Sequence, residues 1–151
     1  MADFWTWSAA TALVAATPVA SWGLIGRQDA AGFTRAELDY LVPPLDLAPG
    51  LETALGSAAL LLAAAAAAVL TWSSWRGRFD QRWWHVVAPL LAAGLVAGAG
   101  WRVITAGVIG ANIGAGLFIA FGTPLVALLL GYAVISGVRT ATGQRSRRRP
   151  A

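Results

Sequence analysis

Arg102 is the one ionisable side chain set between two long apolar stretches: neither Trp83–Trp101 before it nor Val103–Val138 after it holds an Asp, Glu, Lys or Arg. A guanidinium at the middle of a membrane-spanning helix costs on the order of 3 kcal/mol on insertion scales and then usually serves a function, whereas near a helix end it snorkels to the interface. Beside Trp101 and a few residues from a glycine-rich turn, Arg102 falls in the outer third of its span. Two roles follow from that position. It pairs with the acids of the first connection, for which Asp39, Asp46 and Glu52 are the natural partners, or it lines an outward polar pocket with Thr105 and Asn112 for an anionic or lipidic ligand.

Other chemistry is sparse. Cysteine is absent, which excludes disulfide exchange, thiolate chemistry and cysteine-held metal clusters. The single histidine, His85, follows Trp83 and Trp84 at a span boundary, and no acid lies inside any predicted span to complete a proton relay with it. That absence also argues against an ion-coupled antiporter, and the small multidrug exporters of similar size carry an acid in the first helix that this chain lacks. Serines 57, 73, 74 and 136 have no His–Asp partners in sight, so no catalytic constellation is visible. No cofactor or metal motif is present, and the chain reads as non-enzymatic. A weaker reading makes Asp39, Asp46 and Glu52 the acids of a lipid-modifying enzyme.

Small residues four apart occur at Gly94 and Gly98 and again at Gly110 and Gly114. Such pairs flatten a helix so that two backbones approach closely, and Asn112 could bond across the contact. These positions are candidate helix-packing sites, and intramolecular packing or the turn itself accounts for them far better than a ligand site does.

The elements that must position these residues follow from where charge is missing. Charged residues make up 12% of the 151 residues and hydrophobic ones 58%, against roughly 25% and 50% in soluble domains. Phe4–Gly26, Thr53–Trp75, Trp83–Trp101 and Val103–Val138 are free of charge, and about 20 apolar residues match a hydrocarbon core about 30 Å thick. The fold class is therefore all-α, an integral membrane bundle of four transmembrane helices spanning about residues 5–25, 53–75, 86–105 and 117–138, in one domain over 1–138. Residues 139–151 form a disordered basic cytoplasmic tail. The last two spans meet in a turn near Thr105–Gly116, where Gly107, Gly110, Gly114 and Gly116 surround Asn112. A cleaved signal peptide is the rival reading of the first span, but the segment before it carries Asp3 and no basic residue.

Thr34-Arg35-Ala36-Glu37 has the spacing of a capping box, with Phe33 and Leu38 as its staple, and predicts a short surface helix over Arg35–Leu41 stopped by Pro43-Pro44. That helix lies in the extracytoplasmic loop. The N-terminus, the 76–82 connection and the tail share one side and hold eight of the eleven arginines, which places both termini in the cytoplasm of a bacterial plasma membrane. The net charge of +4 comes from Arg alone, set at span edges and in the tail. This favours anionic lipid headgroups, met by Arg76, Arg78, Arg82, Arg145, Arg147, Arg148 and Arg149, over nucleic acid. The first functional expectation is a multi-pass assembly or interaction component, acting as a homo-oligomer or with a membrane protein partner; the alternative is a small permease or channel component.

Overall fold

Four long apolar helices, each able to span a membrane, account for most of the chain, and no strand occurs among the described residues. The computed structural model describes residues 4–32, 34, 38, 40–48, 50–108 and 111–147. Helix α1 covers Phe4–Ile25, α2 Leu51–Trp75 and α3 Trp84–Ile104, the last entered through a 3-10 turn at Gln81–Trp83. The fourth span is compound: α4 (Ala111–Leu117) passes through a π-helical turn at Phe118–Gly122 into α5 (Thr123–Arg147).

The helices pack in the order α2, α1, α3, α5, with α1 held between α2 and α3 and α3 between α1 and the fourth span. The reason lies in α1. Its buried face, Thr6, Ala9, Ala10, Leu13, Ala16, Thr17, Ala20 and Ser21, follows helical spacing and consists almost wholly of small side chains. Small residues let neighbouring backbones approach, and in lipid that close packing replaces the hydrophobic effect as the attraction between helices. The alanine run of α2 supplies the matching surface through Ala63, Ala66 and Ala67. Gly23 and Gly56 make the closest approach, since a Cβ on either would overlap the other's backbone.

Each end of the packed layer has its own fastening. At the end formed by the 76–83 connection, Phe79 and Leu70 are fully buried, and Trp7 stands edge-on to Trp83 with ring centroids 4.7 Å apart. Phe79 meets Trp84 in the same manner at 5.9 Å. Gly77 at φ 67° lets α2 stop there, with the amide of Arg78 donating to the Ser73 carbonyl. At the opposite end the first connection is tied to the third: the amide of Ala30 donates to the Gly107 carbonyl at 2.9 Å, and the amide of Gly107 donates to Asp29 Oδ1 at 3.2 Å.

Three sequence expectations are corrected. The surface helix over 35–41 does not appear in its described residues, because Leu38, Tyr40 and Leu41 are not helical; 33, 35–37 and 39 lie outside the described residues. A two-turn helix is marginal unless packing supports it. Here the Tyr40 ring lies instead on Gly107, where a Cβ would collide with it. The turn before the fourth span is also shorter than expected, for helix resumes at Ala111 and includes Gly114 and Gly116. Backbone groups in lipid must be satisfied within the segment, and that need outweighs the weak helix propensity of glycine. Finally, α5 does not stop at Val138 but continues to Arg147, so residues 139–147 of the expected tail are helical; 148–151 lie outside the described residues.

The π turn has a local cause. Pro124 lacks an N–H and crowds the carbonyl four residues back, and the amide of Thr123 donates to the Phe118 carbonyl across the wider turn. The extra residue brings the Phe118 ring against Gly100 of α3 and Gly122 of its own helix, space that a Cβ at either glycine would fill.

Candidate functional site

Arg102 sits in the last turn of α3, and its side chain is only 4% exposed. It points into the protein, toward the end of α1. Nε donates to the Trp22 carbonyl at 2.8 Å, and Nη1 and Nη2 donate to Glu52 Oε2 at 3.2 and 3.1 Å. The guanidinium carbon lies 4.1 Å from the centroid of the Trp22 ring, a cation–π contact. Each partner has a reason to be there. The Trp22 carbonyl belongs to the final turn of α1, where helical acceptors run out of intrahelical donors. Glu52 stands in the first turn of α2, where the helix dipole favours an anion.

Glu52 also holds a second arginine. Its Oε1 accepts from Nε of Arg27 at 2.9 Å and from Nη2 of the same residue. Arg27 follows α1 in the first connection and is 36% exposed, against 16% for Glu52. The hydrogen bond it donates to Glu52 raises the pKa of the Arg27 guanidinium above its usual value, with partial burial opposing. One carboxylate thus joins two arginines and three helices, one oxygen to each guanidinium, in a cluster graded from water-facing Arg27 to buried Arg102.

The cluster looks structural in its chemistry. All three guanidinium nitrogens of Arg102 bond within the protein and the side chain is almost wholly buried, so little of it is open to a ligand. Among the described residues no group of three or more His, Asp or Glu is placed to hold a metal ion. Catalysis needs a nucleophile and base in mutual reach. Ser74, at the opposite end, accepts from Trp84 Nε1 at 3.2 Å and donates to the Leu70 carbonyl.

The other sequence candidates fall in different places. The Thr105 hydroxyl donates to the Trp101 carbonyl at 2.7 Å within its own helix turn, so Arg102 is joined to Trp22 and Glu52 rather than to Thr105. The Asn112 side chain and Gly110 lie outside the described residues. Gly94 faces Thr17 and Pro18 of α1, Gly98 faces Pro18 and Ser21, and Gly114 faces Val103. The Ser21 hydroxyl donates across the same interface to the Leu95 carbonyl at 2.9 Å. Asp39 is outside the described residues, and Asp46 lines an open polar recess of about 440 Å³ with Arg27, Glu52 and Thr53.

No protein-family model, curated protein or solved structure matches the chain. Its own geometry therefore carries the functional reading. Sequence reasoning missed two features of the site: the Trp22 carbonyl, which has no residue-type signature, and the Gly23–Gly56 contact, whose two glycines are the signal that could have found it.

Proposed function

We propose that this protein is a non-enzymatic multi-pass component of a bacterial plasma membrane that works by assembly, with itself or with another membrane protein. The observation that supports it most is the unequal covering of the helices. Only 6% of the fourth span's apolar window is buried, against 39% for α1. A helix so little used by its own fold is available to another, and its outward face carries Leu128 at 72% and Val134 at 66% exposure. The internal ion cluster supports the same reading, because the one embedded arginine is already neutralised. Both termini belong in the cytoplasm on this reading, from the arginine excess on that side.

The permease alternative needs Arg102 to meet a ligand, and its engaged donors weigh against that. The absence of native cysteine makes the test direct. A single Leu128→Cys substitution on α5, crosslinked in native membranes, is expected to give a dimer or a discrete larger adduct, while Leu61→Cys on α2 gives less. Monomer alone from every α5 position removes the proposal.

A further inference from the structure

We propose that two copies of this chain pair, the fourth span of each seated on the face that α1 and α3 of the other leave open. This rests on the assembly reading and names its partner and its surface. Two apolar grooves lie on one side of the α1–α3 contact, one of about 290 Å³ beside Trp7 and Trp83 and one of about 390 Å³ beside Trp22 and Trp101. Their α1 walls follow a single helical stripe, Trp7, Thr11, Ala15, Val19 and Trp22, and their α3 walls another, Trp83, Val87, Leu90, Ala97 and Trp101. Between the two grooves Gly94 meets Pro18. From Trp83 to Trp101 the stripe rises about 27 Å, close to the depth of a hydrocarbon core. A channel of that length suits a helix, and small wall residues such as Ala15 and Ala97 admit a close backbone.

The chain's own fourth span is placed to be that helix. Val86 lines the groove beside Trp83, and a Cβ on Gly137 of α5 would touch it, so the fourth span borders the groove. Leu130, Val134 and Val138, four residues apart on that helix, stand 43%, 66% and 58% exposed. A twofold axis along the membrane normal at this border carries each fourth span to the other copy's groove at once. It also preserves depth. Gly114 faces Val103, Phe118 lies on Gly100 and Gly137 lies by Val86, so residues 114–137 stand level with residues 86–103 of α3, where the grooves are. Val134, one turn from Gly137, falls near the level of Val86 and Thr11. A helix bedded over about 10 Å of its width along about 27 Å covers roughly 270 Å² on each of two ridges and two grooves, about 1,100 Å² in all, and a stable interface needs about 1,000 Å².

The test is disulfide trapping in native membranes between two differently tagged full-length chains, each given one cysteine where the natural chain has none. A mixed-tag adduct is then intermolecular. Val134→Cys with Thr11→Cys is the level pair and should form the adduct. Val134→Cys with Val19→Cys, about 12 Å further along the groove, should not. Ala15→Phe fills the groove from its exposed wall and should cut the level adduct about tenfold. No adduct from the level pair, equal yields from the two pairs, or a level adduct that Ala15→Phe leaves unchanged overturns the proposal. The depth comparison uses exposed positions only, so it decides the matter whatever the fold of the Ala15→Phe variant. Leu128→Cys separates this proposal from the reading beneath it: adducts there without the level pair remove this face and keep assembly, and adducts from neither remove both.

Discussion

Glu52 Oε2 lies 3.1 Å from Nη2 of Arg102, a contact that ties the first turn of α2 to the last turn of α3 although those two helices share little other surface. The pair spans the end of α1, whose Trp22 carbonyl completes it. Glu52 is the one counter-charge described around the buried Arg102, beside the Trp22 carbonyl and ring, so the cost of removing it should be large and one-sided.

Replacing Glu52 by Gln leaves Arg102 without its counter-charge and should cost about 3–5 kcal/mol. Removing both charges together, Glu52→Gln with Arg102→Met, should recover most of that loss, because an apolar replacement of a buried pair is close to neutral. Arg27→Gln, at the exposed end of the cluster, should cost less than about 1 kcal/mol and fade with added salt. Thermal unfolding in detergent at two ionic strengths ranks the three variants.

Glycines that face a backbone should be distinguishable from those that face lipid. Gly23→Ala and Gly98→Ala force α1 away from α2 and α3 and should each destabilise by about 1–3 kcal/mol. Gly116→Ala and Gly131→Ala meet open space and should be neutral or stabilise by up to about 1 kcal/mol through helix propensity. Equal losses in both pairs contradict the packing order described above.

The seat of Phe118 predicts a rescue. Gly100→Ala collides with its ring and should cost about 1–3 kcal/mol, whereas Gly100→Ala combined with Phe118→Leu should restore much of the loss. Non-additivity in this double-mutant cycle is the readout.

The two ends of the layer should face opposite sides of the membrane. With no native cysteine, Ala48→Cys in the first connection and Arg78→Cys in the second can be labelled one at a time with an impermeant maleimide. Labelling of Ala48→Cys in intact cells, with Arg78→Cys reactive only after lysis, is the expected pattern. The reverse inverts the orientation proposed from the arginine bias.

Charge distribution along the chain was enough to establish the class of this protein. Stretches without Asp, Glu, Lys or Arg cannot sit in water at that length, and they fold as helix over most of their length because lipid leaves the backbone no partner but itself. The ends of those helices were also nearly legible, since tryptophans and arginines gather there. Tertiary structure alone decided which acid meets Arg102. Asp39, Asp46 and Glu52 are equivalent in sequence, but among the described residues it is the start of α2 that carries a carboxylate to the end of α3, because the Gly23–Gly56 contact draws α2 close against α1. The same long-range contacts denied a helix to Leu38, Tyr40 and Leu41: a capping pattern is a local preference worth little on its own, and the pairing of the first connection with Gly107 was stronger.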